Sequence, residues 1–158
     1  MSLEENKTLV RRWIDAYNQH FTLDSVNEFT QAFSDSVDEF LAQDYVDHTN
    51  QVSPEGLKQL FTIAFKAFTD YHETIEDIIA EGDKVWVRIK ATGTNTGEWM
   101  GFAPTGKKIT AKNVDTYRIS NGKLAEYWSV HDQLDFLKQL GLIEYTEKGK
   151  KLFPEDAK

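Results

Sequence analysis

Asp132 is the residue whose type and setting best suit chemistry. It follows His131 in the segment Thr116 to Leu140, which reads TYRISNGKLAEYWSVHDQLDFLKQL. Burial near Trp13, Tyr127 or Trp128 would disfavour its charged form and bring its pKa into a useful range. Such a carboxyl can act as a general acid/base. The same residue also reads as a helix N-cap before Gln133-Leu134-Asp135, a role that needs no catalysis.

Asp115 is the second carboxylate of interest. At strand spacing it shares a face with Ile109, Ala111, Asn113, Tyr117 and Ile119. A carboxylate among inward residues is rarely left unpaired. It reads either as a pocket carboxylate near Asp132, or as one paired with a nearby cation or exposed at the sheet rim. His48 lies in Asp44-Tyr45-Val46-Asp47-His48-Thr49-Asn50. Its imidazole changes charge near neutral pH, so it suits a substrate oxygen or a proton shuttle. It reads equally as an ordinary loop histidine. His131 alternates with Asp132, so in a regular strand the two point to opposite faces and His131 looks away from the pocket.

The elements that must position these residues follow from periodicity. Ser2 and Glu5 form a capping box, and Val10, Trp13, Ile14 and Tyr17 repeat at helical spacing over about residues 3 to 19. Val26, Phe29 and Phe33 continue a helical rhythm. Ser36 with Glu39 reads as a second capping box, which predicts two short helices or one broken near Ser34-Asp35-Ser36. Ser53-Pro54 starts a helix with proline at its first position, followed by an apolar stripe from Leu57 to Phe68.

After Asp70 the period falls to two. Tyr71 to Ala80 is a strand, Glu81-Gly82-Asp83 a turn, and Val85, Val87, Ile89 and Ala91 one face of the next strand. Gly97 to Gly106 is a loop, with Trp99, Met100 and Phe102 as core filling, a pocket wall or a dimer contact. Asn121-Gly122 suits a type I′ hairpin. A last helix closes at Gly141. Helices first and antiparallel strands afterwards imply an α+β fold, a curved sheet around a helix with a conical cavity.

Composition narrows the function. The 158 residues carry a formal charge of -8, which argues against binding nucleic acid. No apolar run suits a membrane span. The charged N-terminus lacks a signal-peptide core and there is no cysteine, so a cytoplasmic protein is expected. The four histidines show no metal-ligand spacing, and neither a G-x-S-x-G elbow nor a phosphate loop occurs.

Several segments in order carry a resemblance. They are Asp44 to His48, Ile78 to Val85, Gly97 to Lys107, Asp115 to Ile119, Gly122 to Trp128, and Asp132. Together they resemble the SnoaL-like polyketide cyclases (ester cyclases) of the nuclear-transport-factor-2-like superfamily, over about residues 3 to 141. The resemblance implies a cystatin-like α+β barrel or cone, with a curved antiparallel sheet wrapped around N-terminal helices and a central pocket. It also implies a homodimer, and ring closure by intramolecular aldol condensation without metal or cofactor. Asp132 matches the family's acid/base. His48 and Asn50 match a segment that contributes to the pocket, where they would orient substrate oxygens. The stretch from Asn18 to Glu39 is longer than the family's usual link, which would reshape a pocket wall or the entrance.

The expectation is therefore one domain over residues 1–142 and a polar tail over 143–158. It would be a cofactor-free cyclase-type or isomerase-type enzyme acting on an apolar, polyketide-like carbonyl compound. Asp132 is the expected acid/base. His48, Asn50, Tyr17, Asp115 and Tyr117 are the polar contacts, and Trp13, Trp99, Phe102 and Trp128 the apolar walls. One alternative is a binding module without catalysis. Another is an epoxide hydrolase, which needs two carboxylates and an arginine on one water. Arg88 and Arg118 alternate to the wrong faces for that.

Overall fold

The computed structural model describes residues 1–152 of the chain. Helix α1 (Leu3–His20) starts at the expected capping box, with the Ser2 hydroxyl accepting from Glu5 N–H and the Glu5 carboxylate reaching back. Helix α2 (Val26–Phe40) is capped by Ser25 and runs without a break. Ser36 is therefore not a cap. It is buried inside α2, where its hydroxyl meets His20 Nε2 at 2.8 Å. Buried side chains at positions 29, 33, 36, 37 and 40 keep one face of α2 against the rest of the molecule, so the helix continues through the polar triplet.

Strand β1 (Leu41–Asp47) follows α2 directly and is an element the periodicity did not announce. Helix α3 (Pro54–Ala67) and strands β2 (Phe68–Glu81), β3 (Lys84–Asn95), β4 (Lys108–Ser120) and β5 (Lys123–His131) come next. Helix α4 (Gln133–Gln139) follows, and a short 3-10 turn lies at Gly149–Lys151. Of the expected tail, residues 153–158 lie outside the described residues.

The five strands form one curved, unclosed sheet in the order β1-β5-β4-β3-β2. Four of them pair antiparallel, but β1 pairs parallel with β5, so the sheet is mixed where an antiparallel one was expected. The α+β class holds. Val85, Val87, Ile89, Tyr117, Ile119 and Leu124 turn inward to meet α1 and its neighbours. The outward rows stay exposed, including Ile79, Trp86, Val114 and Val130. Among the described residues no helix is long and apolar enough to cross a membrane.

Helix α2 supplies an aromatic layer. Phe29 of α2 stacks on Phe65 of α3 at 4.3 Å between centroids, and Phe33 stacks on Phe61 at 4.4 Å. Both α2 rings are fully buried. Burying side chains of this size stabilises the fold by about 1.5–3 kcal/mol each.

Candidate active site

Between α1, α3, α4 and the concave face of the sheet lies a cavity of about 390 Å³. That falls within the usual range for small-molecule sites, roughly 300–1,000 Å³. Trp13, Phe21, Leu57, Phe61, Phe68 and Ile109 supply apolar wall. Tyr17, Glu73, Asp115 and Tyr117 are buried and mark its floor, whereas exposed Met100, Lys112, Asp132 and Gln133 mark its mouth.

Asp132 lines the mouth, and it is exposed rather than buried. Its Oδ1 accepts the Asp135 N–H at 3.3 Å, the N-cap bond of α4. The cap bond thus anchors one carboxylate oxygen on a residue that lines the cavity. His131 also lines the cavity, which corrects the expectation from alternation. Strand β5 ends at His131, and its pairing with inward Asn113 turns that side chain to the concave side. Asp132 then leaves strand geometry, with φ -75 and ψ 70, so the two-residue period no longer separates them.

Asp115 is buried and lines the floor. Among the described residues no cation pairs with it directly. Asn113 Nδ2 donates to its Oδ1 at 2.7 Å and the Ser129 hydroxyl to the same oxygen at 2.5 Å. Burial pushes the Asp115 carboxyl upward, and the bonds from Ser129 and Asn113 oppose that rise.

Glu73 of β2 is the floor residue that sequence reasoning passed over. It is buried, and both carboxylate oxygens are taken by phenols, Oε2 by Tyr17 and Oε1 by Tyr71. Asn18 fixes the backbone there, with Nδ2 donating to Glu73 O and Oδ1 accepting Glu73 N–H, each at 2.9 Å. Burial first, then the neighbouring Asp115 charge, pushes the Glu73 carboxyl up to about 7, against the pull of the two phenols. A signal was available, because Glu73 sits at strand spacing between Tyr71 and Ile75, a charge on an inward, mostly apolar row.

Tyr17, Asn50, Tyr117, Trp13 and Trp99 also line the cavity. Asn50 is delivered by a tight turn after β1. Buried Asp47 accepts from the Thr49 and Asn50 backbone N–H groups at 2.9 and 2.7 Å, and from Asn50 Nδ2 at 2.9 Å. Trp99 turns inward onto Phe68 and Phe136.

Three expected contacts lie outside this cavity. His48 follows the outward parity of β1, bonds Glu126 at 2.7 Å and stacks on Trp128 with ring centroids 4.5 Å apart. Trp128 shares the outward parity of Glu126 and Val130, because inward positions on β5 fall to Tyr127, Ser129 and His131. Phe102 is 52% exposed, across the two-residue Met100-Gly101 turn from Trp99. Arg88 and Arg118 are likewise outside, engaged with Glu76 and with Glu126 respectively, so no arginine joins the two floor carboxyls.

The comparisons agree with this geometry. A family model described as SnoaL-like polyketide cyclase matches residues 7–140. The chain is 30% identical over 144 residues to the aklanonic acid methyl ester cyclase DnrD of Streptomyces peucetius, covering 89% of this chain and 94% of that one. It is 26% identical over 123 residues to the nogalonic acid methyl ester cyclase of Streptomyces nogalater, covering 73% and 91%. Among solved structures, AclR of Streptomyces galilaeus superposes with a TM-score of 0.76 at 29% identity, covering 90% of this chain and all 100% of AclR. A concave sheet enclosing an apolar cavity, with an aspartate heading the last helix, thus accompanies a family match across nearly the whole fold, and the chain belongs to the SnoaL-like polyketide cyclases.

Proposed function

We propose that the protein is a cofactor-free cyclase or isomerase acting on a neutral, mostly apolar carbonyl compound of the polyketide type, with Asp132 as general acid/base. The carrying observation is the half-anchored Asp132 carboxylate at the mouth of an apolar cavity. The cap bond would hold the carboxylate while its second oxygen removes a proton alpha to a carbonyl. Asn50 is the polar group offered to substrate oxygens, Tyr17 being turned to Glu73, and Trp13 and Trp99 are the apolar surfaces that orient the carbon skeleton. The relatives named as methyl ester cyclases support an esterified polyketide as the substrate class.

The test is ring closure of aklanonic acid methyl ester, with deuterium exchange at its acidic carbon as a second readout. Wild-type protein should catalyse at least one of the two. Asp132→Asn, which keeps the cap acceptor, should lose about 10²–10⁴-fold, the usual worth of a general base. Unchanged turnover in that variant overturns the role of Asp132.

A second reading, a small-molecule binding module, is favoured by one observation: Asp132 is exposed and its hydrogen bond is the ordinary cap of α4. Ligand binding without turnover or exchange would establish it. A homodimer would cover Trp86, Val114 and Val130 on the outer sheet face, and light scattering on the purified chain tests that assembly.

A further inference from the structure

The floor of the cavity holds a carboxyl that the acid/base reading does not use. Glu73 is enclosed by α1, the sheet and its own tyrosines, and among the described residues its carboxylate is satisfied by two phenols and no cation. The side chains facing it can be named. Tyr17 comes from α1, Tyr71 from its own strand, Asp115 and Tyr117 from β4, and Tyr127 from β5. Helix α3 adds only apolar lining, with Leu57, Leu60, Phe61 and Ala64. Lys112, His131 and Asp132 stand among the lining residues, each of them exposed.

The donor count decides what this arrangement presents. An ionised carboxylate only accepts, so both phenol hydrogens point at it and neither points into the cavity. A protonated carboxyl must donate its own hydrogen to one phenol oxygen. That phenol can then no longer donate to the carboxyl, and its hydrogen turns elsewhere. Both phenols line the cavity, but Tyr17 is 2% exposed whereas Tyr71 is only partly buried, so Tyr71 is the one with room to turn.

We propose that Glu73 controls a binding site for a neutral hydrogen-bond acceptor: in its protonated form it turns the Tyr71 hydroxyl into the cavity, where it donates to a carbonyl or phenolic oxygen of the ligand. The site deepens the reading of the cavity as a ligand chamber and rests on it. Two carboxyls in one floor also disfavour an anionic group there, so the ligand end that reaches Tyr71 is a ketone, ester or phenol and not a carboxylate. Asp132 at the mouth and Tyr71 at the floor then act on different ends of the same molecule. The elevated pKa of Glu73 brings this change of donor into the neutral range.

The probe is acedan, an uncharged acyl-naphthalene ketone whose emission moves to the red when its carbonyl accepts a hydrogen bond. Its affinity and emission are followed across neutral pH for the full-length protein, with circular dichroism to verify folding of each variant. Wild-type protein should bind about tenfold more weakly, with bluer emission, once Glu73 ionises, the loss of roughly one hydrogen bond. Glu73→Gln should keep the tight, red-shifted complex at every pH, because the amide donates to Tyr71 and accepts from Tyr17 as the neutral acid does. Tyr71→Phe should give the weak, blue complex at every pH.

Persistence of the pH dependence in either folded variant assigns it to another group, such as Asp115, and overturns the proposal while leaving the ligand chamber intact. A wild-type complex that does not change with pH also overturns it. Failure of folded wild-type protein to bind acedan at any pH overturns both this inference and the chamber reading. If Glu73→Gln does not fold, Tyr71→Phe alone still decides between a flat and a pH-dependent response.

Discussion

Asn50 is held by Asp47 three residues before it: the Asn50 amide donates to one Asp47 oxygen at 2.9 Å while the other oxygen takes the Asn50 backbone N–H at 2.7 Å. A single buried carboxylate thus ties the end of β1 to a cavity residue. Asp47→Ala should lower stability by about 2–3 kcal/mol, since hydrogen bonds to a charged group are lost and donors are left unpaired. Asn50→Leu should cost less, because the two backbone bonds survive. Urea unfolding of the two variants checks the order.

The cap and the proposed acid/base role of Asp132 are separable. Asp132→Asn should leave thermal stability close to wild type, as asparagine caps helices as well as aspartate. Asp132→Ala should cost about 1 kcal/mol by loss of the cap. Both should lose turnover. Calorimetry alongside the cyclisation assay distinguishes a helix cap from an acid/base.

Glu73 makes stability depend on pH in a definite direction. Its folded pKa, about 7, lies above its ordinary 4.5, so the folded state binds the proton more tightly than the unfolded chain. The contribution is complete below the ordinary value, declines as pH rises, and is gone above the folded value. Its size is on the order of 3 kcal/mol. The Asp115 carboxyl, also raised by burial, acts in the same sense. Denaturation midpoints of wild type should therefore fall from mildly acid to neutral pH, and those of Glu73→Gln should fall less.

Gly97 sits against the end of α3. A Cβ built there would lie 1.9 Å from the Lys66 carbonyl oxygen, a backbone atom that cannot step aside cheaply. Gly97→Ala should cost about 3 kcal/mol or more, lowering Tm by roughly 6–12 °C. It should also displace Trp99 two residues on, which a change in tryptophan fluorescence would report.

His48 provides the contrasting case. Its ring lies on the outer sheet face against Trp128, with Glu126 as partner. His48→Ala should change stability by less than about 1 kcal/mol, as the loss of an exposed polar pair does, and should leave acedan affinity unchanged. Isothermal titration checks the affinity.

The fold was largely readable because its signals are local. Alternation of Val85, Val87 and Ile89 marked a face, Asn121-Gly122 marked a hairpin, and Ser2 with Glu5 marked a helix start. What escaped was set by distant partners. Strand β1 owes its place to parallel pairing with β5, some eighty residues on, and no local pattern announces such a partner. Ser36 looked like a cap until His20 occupied its hydroxyl. At the site, parity correctly put Asp115 and Tyr117 on the inward face, yet it failed for His131 because the strand stops there. Aromatic type alone does not reveal direction, which is why Phe102 and Trp128 read as wall. Glu73 was visible in the same alternation, as an acidic residue in an inward row, but a strand rich in Glu and Asp drew no attention to it.

The stacked pairs Phe29–Phe65 and Phe33–Phe61 give the chamber an outer rind. Phe61 is a lining ring, whereas Phe33 touches no ligand space and merely props it from behind. The dimensions of the chamber thus depend on a helix that contributes no residue to its lining. A smaller residue at Phe33 should let Phe61 recede and widen the pocket with its inner surface chemically unchanged. Segment α2 is in that sense an adjustable mould.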